Sequence, residues 1–101
     1  RTTIYAYEDD IAYVTSKNAC ITVHLTDGRD VTMLDTVSNF YSMIANHKHL
    51  VLVSERTIIN AAHVKKLSGL KVTMDDGKKL SCPLLSRPLL SYAKKNLATS
   101  Q

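Results

Sequence analysis

Three short polar stretches in this 101-residue chain carry side chains suited to gripping a polyanion: "SKNA" at residues 16–19, "SER" at 54–56 and "PLLSR" at 83–87. Arg56 and Arg87 can each offer two parallel N–H donors to a guanine edge, and Asn18 can pair with adenine in a similar bidentate way. Lys17 supplies a point charge for a phosphate, and the hydroxyls of Ser54 and Ser86 can support the same contacts. Lys65, Lys66, Lys78 and Lys79 flank expected turns and are further phosphate candidates. The charge distribution points the same way. Up to Leu50 the chain has four Lys or Arg against six Asp or Glu, whereas from Val51 onward it has nine against three. A basic half is the electrostatic footprint of a polyanion binder.

Other chemistries find less support. A hydrolase needs a nucleophile beside a base, or a carboxylate or metal that activates water. Ser54 or Ser86 with His24 or His63 are the available pairs, and the acidic clusters "EDD" at 8–10 and "DD" at 75–76 sit beside expected turns, where carboxylates are normally solvated. No G-x-S-x-G or H-E-x-x-H signature occurs, so no enzyme is expected. His47 and His49 bracket Lys48 without a Cys or carboxylate at ligand spacing, and no metal or other cofactor is expected. Cys20 and Cys82 fit no zinc or redox spacing and read as two reduced, partly buried thiols of a cytoplasmic protein, with a cross-strand disulfide as the alternative.

The elements that must position these residues are mostly strands. Residues 3–7, "TIYAY", and 11–16, "IAYVTS", are rich in β-branched and aromatic side chains. In residues 20–26, Ile21, Val23 and Leu25 alternate with Cys20, Thr22 and His24, which places His24 toward solvent or a polar contact. Asp27–Gly28 and Asp76–Gly77 are hairpin-turn signals. One mid-chain helix is expected after a cap at Asp35 or Thr36, with Val37, Phe40, Tyr41 and Ile44 on its apolar face and its end near Asn46 and His47. The runs "LVLV" and "TIINAAHV" follow, separated by Ser54, Glu55 and Arg56. A short C-terminal helix closes the chain, capped by Ser86 ahead of Pro88, with Leu89, Leu90, Ala93 and Leu97 as its apolar positions. Its Lys94 and Lys95 suit phosphate contact, but the mid-chain helix has no Lys or Arg, so any readout of base pairs must come from inter-strand loops.

Length allows one domain, residues 1–101, and 45% apolar with 22% charged residues is an ordinary globular balance. No apolar run is long enough for a membrane helix, and no membrane contact is expected from this segment. The start at Arg1 rather than Met suggests a piece of a longer protein, with any regulatory domain upstream. Only three glycines occur, and a phosphate-loop or dinucleotide-binding enzyme is excluded.

The ordered set "DDIAYVTSKNACITVHLTDGRDV", "TIINAAHVKKL" and "KVTMDDGKKLSC" resembles the LytTR DNA-binding domain, an effector module of bacterial response regulators, over residues 11–90. The resemblance implies a mainly β fold of elongated antiparallel sheets with a short mid-chain helix. It also implies loops inserted into successive major grooves of double-stranded DNA, with two copies on a direct repeat and an upstream receiver or other regulatory domain in a cytoplasmic two-component system. The family's first contact loop falls on Lys17, Asn18 and Ala19. Its second places Ser54 at a histidine position, Glu55 at an Arg/Lys/Asn position and Arg56 at a serine position. Its third reaches Ser86 and Arg87 only through a longer loop, because Pro83, Leu84 and Leu85 stand where the family carries Ser-Arg-Arg. Glu55 is expected to pair with Arg56 or a nearby Lys. The chain is thus a divergent member, and the alternative reading is a protein-interaction or dimerisation module on the same fold with weakened DNA reading.

Overall fold

The computed structural model describes residues 10–44 and 49–99, with backbone alone for residues 96–99. The strand expected over residues 3–7, the positions Asn46 and His47, and the Leu97 side chain lie outside the described residues. Strands β1 (Ile11–Lys17), β2 (Cys20–Leu25) and β3 (Asp30–Leu34) lead into helix α1 (Val37–Met43). Strands β4 (Leu50–Ser54), β5 (Thr57–Asn60), β6 (Val64–Ser68), β7 (Lys71–Met74) and β8 (Lys79–Ser81) follow, and helix α2 (Arg87–Thr99) closes the chain. The strands form a five-stranded sheet of order β3-β2-β1-β5-β4 and a three-stranded sheet of order β6-β7-β8, with every neighbouring pair antiparallel. The mainly β class with one short mid-chain and one short C-terminal helix is as the sequence implies, and the molecule measures 37 × 29 × 23 Å.

The larger sheet is covered on both faces, which is why β4 and β5 read as continuous apolar runs. On one face Val14, Ile21, Val23, Leu50 and Ile58 pack with Val37 of α1, joined by half-buried Phe40, Tyr41 and Ile44. On the other, Tyr13, Val51, Val53 and Ile59 meet Val72, Met74 and Leu80 of the smaller sheet and Leu90 of α2. A register shift between Ile11 and Tyr13 makes this possible in β1: Ile11 and Val14 enter the first core and Tyr13 the second. Each such aliphatic side chain taken from water contributes about 1.5–3 kcal/mol.

Local chemistry ends the elements. Both Asp-Gly hairpins form, with Gly28 at φ 93° and Gly77 at φ 89°, left-handed values that glycine adopts freely. Asp27 and Asp76 accept from the N–H groups of Arg29 (3.0 Å) and Lys78 (2.9 Å), closing each turn. Thr36 caps α1, its Oγ1 accepting from the Asn39 N–H at 3.1 Å. The helix ends at Met43, earlier than expected, because Ile44 is already extended (φ −78°, ψ 123°) and packs against the α1 core. "TIINAAHV" is likewise not one strand: β5 stops at Asn60, and a 3-10 turn over Ala61–His63 redirects the chain into the second sheet. Asn60 is only 1% exposed, and its amide both caps that turn (Ala62 N–H to Oδ1, 2.9 Å) and donates to the Ile11 carbonyl at 2.8 Å.

Candidate nucleic-acid interface

Antiparallel pairing brings two hairpin tips to one end of the five-stranded sheet. Lys17 pairs with Cys20 across the β1–β2 hairpin, leaving Asn18 and Ala19 as its tip. Asn18 takes φ 58°, the left-handed conformation that asparagine tolerates better than other side-chain-bearing residues. On the neighbouring strand Thr57 faces Thr15, so the tip of the β4–β5 hairpin projects beside it. That tip is a two-residue turn of Glu55 and Arg56, entered by Ser54, whose Oγ accepts from the Arg56 N–H at 3.1 Å. The end of β3 and the start of α1 complete the same end, because Cys20 pairs with Leu34. Asn18, Arg56, Asp35 and Asn39 therefore border one open depression. Asp35 is already engaged there, accepting from the Thr36 N–H and the Asn39 amide, each at 2.8 Å.

The third segment is fastened to the second. From β8 the chain passes through Cys82 and Pro83 into a 3-10 turn, Leu84–Ser86, that runs directly into α2. Ser86 thus lies inside a helical turn rather than ahead of it. Its hydroxyl donates at 2.5 Å to the carbonyl of Val53, a residue of β4 two positions before Glu55. Arg87 follows half-buried, near enough to Cys82 to oppose part of the rise that burial imposes on that thiol. Leu84 and Leu85 stand out to solvent, 66% and 92% exposed.

Arg56 is unpaired among the described residues, although two carboxylates, Glu55 and Asp35, line the same depression. Among the described residues the basic side chains within 4 Å of a carboxylate are His24 (Asp30), Arg29 (Asp27) and His63 (Asp75), and none of these contacts involves Lys17, Arg56 or Arg87. The expected pairing of Glu55 with Arg56 or a lysine does not form among the described residues; the two-residue turn leaves both side chains exposed at the tip. Lys94 spends one of its three N–H donors on the Val64 carbonyl, at 2.8 Å from Nζ. Lys65, Lys66, Lys78 and Lys79 lie apart from the tips on the three-stranded sheet, all exposed. Asn39, and Lys71 beside Lys66 and Lys79, were not singled out by residue type. The alternation of β7, with Val72 and Met74 buried between exposed Lys71 and half-buried Thr73, is the signal that finds Lys71.

The residues considered for hydrolysis are committed elsewhere. Ser54 and Ser86 bond to backbone, as described, and His63 pairs with Asp75 at 3.4 Å. His24 stacks on Tyr13 (centroids 4.2 Å apart), with Nδ1 2.9 Å from Asp30 and Nε2 3.1 Å from Thr15. Of its two expected surroundings, the polar one is realised. Tyr13 in turn donates to Asp76 at 2.8 Å, linking the two sheets. Burial first, and then Asp76, push the Tyr13 phenol well above its usual range. The N–H of Lys78, with help from Tyr13, holds the Asp76 carboxyl below its usual range. Cys20 and Cys82 are free thiols.

The profile of the LytTr DNA-binding domain family matches residues 2–97. Among solved structures, the fold is similar to the LytTr DNA-binding domain of a Bacillus cereus protein described as a methyl-accepting/DNA response regulator. The TM-score is 0.67 over 83% of this chain and 80% of that one, and at 13% identity the likeness speaks for the fold alone. No curated protein matches in sequence. With a family match over nearly its whole length and the fold to go with it, the chain belongs to the LytTr DNA-binding domain family.

Proposed function

We propose that this domain binds double-stranded DNA in a sequence-specific manner, as the effector of a bacterial transcriptional regulator. The observation that carries the reading is the shared end of the five-stranded sheet, where two hairpin tips project side by side and Ser86 fastens the third segment to the second. Arg56 and Arg87 read guanine, Asn18 reads adenine, Lys17 holds phosphate, and Ser54 and Ser86 support the turns and add hydroxyls. These loops enter the major groove, two copies sit on a direct repeat, and an upstream receiver domain in the cytoplasm governs the protein. Lys65, Lys66, Lys78 and Lys79 add contacts to phosphates outside the core that the loops read.

Duplexes selected from a random-sequence library, titrated at two salt concentrations by mobility shift, test this. Arg56→Ala or Arg87→Ala is expected to cost about 1–3 kcal/mol on the selected duplex and to relax specificity at one position. A Lys→Ala change should instead weaken all sequences alike and flatten the salt dependence. Unchanged affinity in both arginine variants refutes the residue assignment. Absence of binding even at low salt refutes the function and favours the second reading, a protein-interaction module. That reading is motivated by the solvent-exposed Leu84 and Leu85 in the third segment.

A further inference from the structure

The outer face of the three-stranded sheet is a basic surface that the loop reading does not use. The register places Lys66 opposite Thr73 and Thr73 opposite Lys79, one row across three strands. The next row runs Ser68, Lys71, Ser81, and the Lys71 ammonium donates to the Ser81 hydroxyl at 3.4 Å. Val72, Met74 and Leu80 point the other way, into the core. The face that remains thus offers ammonium and hydroxyl groups. The strand segments contain no acid, and the two aspartates of the β7–β8 turn are both engaged: Asp75 lies 3.4 Å from His63, and Asp76 accepts from Tyr13. Among the described residues no lysine of this sheet forms an ion pair.

Position supplies the second half of the argument. The row of Ser68, Lys71 and Ser81 is the one nearest the reading end, because β8 leaves Ser81 through Cys82 and Pro83 for Ser86, which is bonded beside the β4–β5 tip. The Cys82 N–H donates to the Leu70 carbonyl at 2.8 Å, holding the β6–β7 connection at that end as well. The lysine face therefore starts at the segment that leads to the loop end and runs away from it. Lys66 and Lys79 are two strand spacings apart, about 10 Å, close to the ~12 Å width of the major groove, so they can meet phosphates on both of its sides.

We infer that Lys66, Lys71 and Lys79 form a second contact surface, for the phosphate backbone of duplex that flanks the site held by the loops. The inference rests on the proposed DNA binding and extends its footprint beyond the three loops. Lysines on a sheet face, without arginine or aromatic groups among them, fit sequence-independent phosphate contact rather than base reading.

The test compares two duplexes, a selected core alone and the same core lengthened by about one helical turn (~10 bp) on each side. The protein carries Lys66→Gln, Lys71→Gln and Lys79→Gln together, changes confined to exposed positions, and a thermal melt matched to the parent's establishes its fold. The parent should bind the long duplex more tightly than the short one, and the triple variant should lose that gain while matching the parent on the short duplex. With three phosphate contacts removed, raising salt from about 50 to 200 mM should weaken the parent on the long duplex roughly 40-fold more than the variant. Equal losses on both lengths overturn the inference, as does no loss on either, which would leave the face to an acidic protein partner. Arg56→Ala and Arg87→Ala serve as controls. If they leave the short duplex unaffected while the lysine variant loses the flank gain, the loop reading fails and the sheet contact stands.

Discussion

Replacing Asn60 by alanine removes one small side chain and two bonds that no neighbour can remake. Asn60 is 1% exposed; its Nδ2 donates to the Ile11 carbonyl at 2.8 Å and its Oδ1 accepts from the Ala62 N–H at 2.9 Å. A buried partner left without its bond costs about 1–3 kcal/mol, so the loss should total about 2–4 kcal/mol. That is a large share of the roughly 5–15 kcal/mol that holds a domain folded. For a chain near 100 residues it corresponds to a Tm lowered by about 10–25 °C. Urea titration followed by far-ultraviolet circular dichroism should show the midpoint falling by about 1–2 M with the slope unchanged. Asn60→Asp sharpens the test, since a carboxylate can still accept from Ala62 but sets its other oxygen against the Ile11 carbonyl. Burial there raises the folded carboxyl pKa above its unfolded value near 4, so the penalty is absent below about pH 4 and grows as pH rises through the folded pKa. An Asn60→Ala variant within about 0.5 kcal/mol of the parent, or an aspartate variant as stable as the parent at neutral pH, refutes the pivotal role given to this side chain.

Ser86→Ala should lower stability by about 1 kcal/mol, and it should also weaken binding to a selected duplex, because Arg87 loses its tie to β4. Ser86→Thr should restore both in calorimetry and mobility titration, and an unchanged melt in the alanine variant counts against the tether. Tyr13→Phe should destabilise the domain near neutral pH by the lost bond to Asp76, about 1–3 kcal/mol. The fold raises the Tyr13 pKa, so the parent's advantage is complete below about pH 10, the unfolded value, and shrinks by up to ~1.4 kcal/mol per pH unit above it. Denaturation from pH 7 to 11 should show the two proteins converging, and a constant gap would contradict the burial assigned to this phenol.

Much of the fold was readable along the chain because its signals are local. Alternation in residues 20–25 separated Ile21 and Val23 from Thr22 and His24, the two Asp-Gly pairs placed turns that formed, and Thr36 proved to be the cap of α1. The remainder depends on partners distant in sequence. The offset at Ile11 and Tyr13 exists because β1 serves two cores at once, a demand that the seven residues of β1 do not announce. Asn60 ends β5 because Ile11, 49 positions away, needs its amide. At the candidate interface, residue type pointed to Asn18 and Arg56, but their common border depends on β5 pairing with β1. The place of Ser86 before Pro88 suggests a cap; its bond to Val53 depends on the fold bringing β4 and the 3-10 turn together.

The sheet that bears the two hairpin tips is also the floor of both cores. Neither core can open without stripping a face from β1 and β5, so local excursions should be confined to the periphery. The amides of Val14 and Ile58 should then exchange with solvent deuterium only through whole-domain opening. Asn18 and Arg56 ride on the ends of these slowest-opening strands. An incoming partner meets side chains whose backbone is already in place, so little ordering entropy is lost on contact. Encounter rates should therefore be governed by orientation and charge rather than by any folding step, a kinetic signature that a looser scaffold would not give.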